Sequence, residues 1–167
     1  MISRSLILLV LLLLAAPIFA QIPVSSQALP GTPGYLVTHF PQIFQAVNAA
    51  ADGDTIEVAP GTYSGSMDLG TKNLRIYSVG GSSVTTINCA FATRGFLIGG
   101  GQTGATQISG FRILNGRGLP SGGGLLIENG SSPLLRDLVF DHCRGRDGAP
   151  AGGAAGGYGG GVHVRGM

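Results

Sequence analysis

The sequence has no tryptophan, two cysteines, one lysine and only 11% charged residues. Each shortage narrows the field. Nine arginines, one lysine and a formal charge of +2, with no basic cluster interleaved with aromatics, argue against nucleic acid as a partner. His39, His142 and His163 show no metal-ligand spacing, and no pair stands at i, i+4 on a helix, so no metal is expected. Calcium would need an Asp-rich repeat that is missing. No cofactor is expected either. Gly99-Gly100-Gly101-Gln102-Thr103-Gly104 formally matches a dinucleotide fingerprint, but the residues after it continue as a strand where the fingerprint requires a helix. Gly65 to Lys72 places Thr71 before the lysine and is no phosphate loop.

Only one long apolar run is present, Leu6 to Ala16, preceded by Arg4 and followed by Pro17 and Ala20. It is shorter than the roughly 20 residues of a membrane span and reads as a secretory signal peptide cleaved after Ala20. The expected product is exported, either secreted or held at the cell surface, with no transmembrane segment after cleavage. Export permits a disulfide. Cys89 and Cys143, however, are expected about 10 Å apart if two strand spacings separate them, beyond the reach of about 7 Å between Cα atoms. Two separate thiols are the reading.

The 30 glycines are not spread evenly. They punctuate a short phrase of two apolar residues flanking a variable one: Ile56-Glu57-Val58, Leu74-Arg75-Ile76, Phe96-Leu97-Ile98, Phe111-Arg112-Ile113, Leu125-Leu126-Ile127, Leu138-Val139-Phe140 and Val162-His163-Val164. Repetition at this grain predicts a solenoid, since one unit cannot bury its own apolar side. Alternation then sends Ile56, Leu74, Phe96, Phe111, Leu125, Leu138 and Val162 inward and Glu57, Arg75, Arg112 and His163 outward. Ile43, Phe44, Val47, Ala50 and Ala51 recur at helical spacing and end at Asp52-Gly53. This predicts an amphipathic helix of about three turns, placed to cover the open end of the first strands. The expected organisation is a signal peptide over 1–20, a Pro/Ser/Gly-rich flexible lead-in over 21–34, and one domain over 35–167.

The phrase Ile43-Phe44-Gln45-Ala46-Val47-Asn48-Ala49-Ala50, with Gly53-Asp54-Thr55-Ile56 and Pro60-Gly61-Thr62-Tyr63, resembles the N-terminal cap and first rung of the pectin-lyase-like superfamily. Ile108-Ser109-Gly110-Phe111-Arg112-Ile113-Leu114-Asn115-Gly116, Gly122-Gly123-Gly124-Leu125 with Asn129-Gly130-Ser131-Ser132-Pro133, and Gly159-Gly160-Gly161-Val162 look like later rungs. The resemblance spans about residues 36–166 and implies an all-β fold, a right-handed parallel β-helix with one short N-terminal amphipathic capping helix. Coils of about 20–25 residues would give roughly five rungs. The last triplet stands three residues from Met167 with no closing segment. The expectation is therefore the N-terminal piece of a longer protein or a prematurely ended reading frame, open to self-association through its uncapped rung.

The resemblance implies either a surface or secreted structural module contacting polysaccharide or cell-surface glycans, or the N-terminal part of a polysaccharide lyase, hydrolase or epimerase acting on acidic polysaccharide. Whether the chain is an enzyme stays open. The one dense ionisable cluster is Asp137, Asp141, His142, Arg144, Arg146 and Asp147, and His163 is the most site-like outward histidine. Asp137, Asp141, His142, Arg144 and His163 are the weak catalytic candidates, since such groups move protons in sugar chemistry. Strand rise puts Asp137 and Asp141 about 13 Å apart, beyond the roughly 5–9.5 Å of a hydrolytic pair. A structural role is favoured for them. Gly148 to Gly161, around Tyr158, reads as an insertion loop, and Asn129-Gly130-Ser131 fits a glycosylation sequon or a simple turn.

Overall fold

The computed structural model describes residues 21–24, 40–119, 121–145 and 160–166. The signal-peptide reading, Arg146, Asp147 and Tyr158 lie outside the described residues. Among those described, no helix is long and apolar enough to cross a membrane.

Among the described residues, eleven strands and one helix follow in the order β1 (Gln21–Val24), α1 (Ile43–Ala49), β2 (Thr55–Val58), β3 (Gly61–Ser64), β4 (Met67–Asp68), β5 (Arg75–Ser78), β6 (Thr85–Asn88), β7 (Phe96–Ile98), β8 (Gln107–Leu114), β9 (Leu125–Ile127), β10 (Leu134–Asp141) and β11 (Val162–Val164). Every pairing is parallel. A seven-stranded sheet runs β1-β2-β5-β8-β6-β3 with β10 added on β8, and a four-stranded sheet runs β11-β9-β7-β4. Strands adjacent in sequence are seldom hydrogen-bonded partners, because they lie in different sheets or at separate places in the larger one.

This corrects the expected fold class. In place of one right-handed parallel β-helix, the described strands form two parallel sheets, and the seven triplets do not share a column. Ile56-Glu57-Val58, Ile76, Phe111-Arg112-Ile113 and Leu138-Val139-Phe140 belong to the larger sheet, whereas Phe96-Leu97-Ile98, Leu125-Leu126-Ile127 and Val162-His163-Val164 belong to the smaller. The register differs too. Ile56 pairs with Ile76 and not with Leu74, so Glu57 stands opposite Tyr77. A shift of two residues keeps each side chain on its face while changing every neighbour. The interval between paired residues is not a uniform 20–25 either, for Ile76 pairs with Ile108 and Leu125 with Val162.

The sheets share one core. Ile56, Ile76, Ile108, Phe111 and Ile113 from the larger sheet and Phe96, Ile98 and Leu125 from the smaller are all buried. The Phe96 and Phe111 rings meet across the core, centroids 6.1 Å apart and tilted by 55°. Burial of each large side chain contributes about 1.5–3 kcal/mol. Burial fades at the last strands. Leu138 is only half-buried, and Val162 and Val164 are 37% and 46% exposed, although Val162 lies in register with buried Leu125.

The helix is shorter than its spacing suggests, at seven residues or about two turns. Its buried face, Ile43, Ala46 and Val47, packs on β1, β2 and β4. The chain's only lysine holds its C-terminal end. Lys72 Nζ donates to the carbonyls of Val47 at 2.6 Å, Ala50 at 3.1 Å and Asn48 at 3.4 Å, satisfying acceptors a helix end leaves open. Residues 21–24, inside the segment read as a lead-in, form β1 in parallel register with β2.

Candidate functional site

The outward rows of the seven-stranded sheet follow from its register. Thr55, Arg75 and Gln107 stand side by side, and Glu57, Tyr77 and Ser109 form the next row. Parallel pairing makes these rows straight, with neighbours about 4.8 Å apart. Thr55, Arg75, Ile76, Tyr77, Gln107 and Ser109 line an open cleft of about 420 Å³. The Tyr77 hydroxyl donates to Glu57 Oε2 at 2.7 Å, which fixes the phenol within its row. Arg75 and Gln107 are exposed and Tyr77 is half-buried. The cleft thus brings together a guanidinium, an aromatic ring, an amide and hydroxyls, with a carboxylate bound to the phenol. That set can grip a carboxylate bidentately and lay an apolar ring face beside a ligand.

The residues singled out from the sequence are elsewhere, and most are committed. Asp137 has φ 45° and lies beside Gly110 (φ 81°), since β10 pairs with β8 on both sides of that point. It lies opposite the point at which β8 passes from pairing with β5 to pairing with β6. Its carboxylate accepts from Ser82 Oγ at 2.6 Å and Ser82 N–H at 3.0 Å, and these bonds hold it below the usual carboxylate range. Asp141 is ion-paired with Arg112, the main reason its pKa is lowered, and meets His142 Nδ1 at 2.5 Å. His142 is an exposed turn residue at φ 51°. Asp137 and Asp141 therefore serve different partners and form no pair. The Arg144 guanidinium lies 4.5 Å from the Phe91 ring centroid, a cation–π contact. His163 stands opposite Leu126 on β11, in the other sheet. None of these five borders the cleft.

Other readings also become geometric. Asn129 Nδ2 donates to Gly99 O at 2.7 Å and Ser131 Oγ to Gln102 Oε1 at 3.0 Å, so the sequon tripeptide is a bonded turn. Gly99 to Gly104 leads into β8, a strand. Both thiols are free. Burial, followed by the neighbouring Cys143, pushes Cys89 up to about 11, and burial raises Cys143 as well. Among the described residues no group of three or more His, Cys, Asp or Glu could hold a metal.

Tyr77 and Gln107 were not legible as site residues, because only the pairing register places them beside Arg75. Two outward residues in successive β-like segments, Glu57 and Tyr77, were the available signal. Comparison with family models, with curated proteins and with solved structures finds no match.

Proposed function

We propose that this chain is an exported surface or secreted structural module that contacts an extended acidic glycan along the outer face of its seven-stranded sheet. The observation carrying this reading is the cleft lined by Arg75, Tyr77, Gln107, Thr55 and Ser109. Neighbours within each row stand about 4.8 Å apart, a step comparable to one sugar ring, so a glycan lying across the strands meets Thr55, Arg75 and Gln107, or Glu57, Tyr77 and Ser109, at successive units. Arg75 suits a sugar carboxylate, and Tyr77 offers a ring surface with a pinned hydroxyl.

A catalytic reading would use the same cleft, because a guanidinium, phenol and carboxylate together are proton-transfer groups. Affinity electrophoresis through gels containing pectate, alginate or chondroitin, beside a neutral glucan, tests the proposal. Retardation by an acidic polymer, reduced in Arg75→Gln, is expected. Unretarded migration in all three acidic gels refutes it. Ultraviolet absorbance from unsaturated sugar in the same mixtures would replace the binding role with that of a lyase.

A further inference from the structure

A second cleft, of about 300 Å³, opens on the four-stranded sheet. Ser66 and Asp68 line it from β4 and its approach, Thr93 and Arg94 from the connection between β6 and β7, and Arg117 and Leu119 from the segment after β8. Backbone contacts tie the two loops. The Arg117 N–H donates to Thr93 O at 2.7 Å, and Arg94 Nη2 donates to Leu119 O at 3.2 Å.

Arg94 thus makes its hydrogen bond to a carbonyl, while the Glu128 and Asp68 carboxylates act on it through charge and Arg165 opposes them. Its Nη1 is buried and, among the described residues, has no hydrogen-bond partner. Buried donors are nearly always satisfied, and Arg94, which lines the cleft, carries one that a small shift of its side chain would bring to an acceptor there. Arg117 adds a second guanidinium, exposed to solvent. The one lining carboxylate, Asp68, already accepts from the Gly70 N–H at 2.9 Å, leaving the lining with two cationic groups against one anionic. Burial also holds the Arg94 guanidinium below its ordinary value, an effect that a bound anion would oppose.

We infer that this cleft is a binding site for a small tetrahedral oxyanion, a phosphate or sulfate group, with Arg94 and Arg117 as its cationic ligands. One guanidinium satisfies a planar carboxylate through two parallel bonds. Here two guanidiniums come from separate loops, and Ser66 and Thr93 add hydroxyl-bearing residues to the lining. Donors from several directions match an acceptor whose oxygens point several ways. The inference is independent of the glycan reading, which concerns the other sheet.

The test titrates the full chain with inorganic sulfate, inorganic phosphate, phenyl phosphate and acetate at constant ionic strength, following backbone amide NMR shifts. Saturable shifts at residues 66–68, 93–95 and 117–119 are expected with sulfate and phosphate but not with acetate. Phenyl phosphate binding as tightly as phosphate assigns the group to an organic ligand, and its exclusion assigns the site to the free ion. Arg117→Gln, at an exposed position, should weaken binding about tenfold or more, while Arg136→Gln, outside both clefts, controls for net charge. Arg94→Lys supplies a second variant that keeps the charge and loses the fork. Absence of saturation, equal response to acetate, or unchanged affinity in Arg117→Gln overturns the site.

Discussion

Replacing Phe111 by alanine probes a contact that joins the two sheets across their shared core. Phe111 is fully buried on β8, and its ring meets that of Phe96, from the opposite sheet, at 6.1 Å. Removing a buried phenylalanine side chain costs about 3–5 kcal/mol, transfer and cavity terms together. A tilted aromatic pair adds about 0.5–1.5 kcal/mol beyond its area, which a double-mutant cycle with Phe96→Ala isolates. Val162→Ala is the internal control. Val162 continues the Phe96–Leu125 column but is 37% exposed, so its loss should cost below about 1 kcal/mol. Urea unfolding followed by far-ultraviolet circular dichroism gives all four values. A Phe111→Ala loss below about 1 kcal/mol, or one matched by Val162→Ala, refutes a core shared by both sheets. A vanishing coupling energy refutes the ring contact itself.

Three further outcomes are expected. Lys72→Met keeps the aliphatic stem but removes a charged donor from three helix-end carbonyls, and should destabilise by about 1–3 kcal/mol with faster amide exchange in α1; a change below about 0.5 kcal/mol contradicts the clamp. Gly100→Ala would place a Cβ 2.0 Å from Gly70 O and 2.7 Å from Thr71 Cα, both backbone atoms, and should cost about 1–3 kcal/mol, whereas Gly104→Ala, with its nearest neighbour at 4.0 Å, should stay within about 0.5 kcal/mol. Because Cys89 is raised from 9.0 to about 11 in the fold, the unfolded chain releases this proton first. Stability should therefore fall as pH rises through that window, and Cys89→Ala should flatten the slope; an unchanged slope in the variant contradicts it.

The triplets disclosed which side chains face the core because alternation is a local property. Ile56, Leu74, Phe96, Phe111 and Leu125 are buried for that reason. They did not disclose partners. Seven phrases of similar shape are interchangeable by pattern, so neither their division between two sheets nor the two-residue offset pairing Glu57 with Tyr77 could be read from them. The helix was readable from its apolar spacing, but its length was set by tertiary contacts, including a lysine 25 residues beyond Val47. Asp137 was a weak catalytic candidate because it is charged and lies near other charges, with a structural role favoured. Its partner, Ser82, is 55 residues away, and its positive φ falls opposite a change of strand partner that only the pairing reveals. Arg94 gave no signal in sequence, since an unsatisfied buried nitrogen exists only once its loop is folded.

The measurement closest to the central claim maps where an acidic oligosaccharide touches the chain. Amide shift perturbation during titration with the oligosaccharide that wins the gel comparison should centre on Thr55, Arg75, Tyr77, Gln107 and Ser109 and be lost in Tyr77→Ala. Perturbations confined to the four-stranded sheet, or unchanged in that variant, would contradict the assignment of the seven-stranded sheet as the glycan-contacting face.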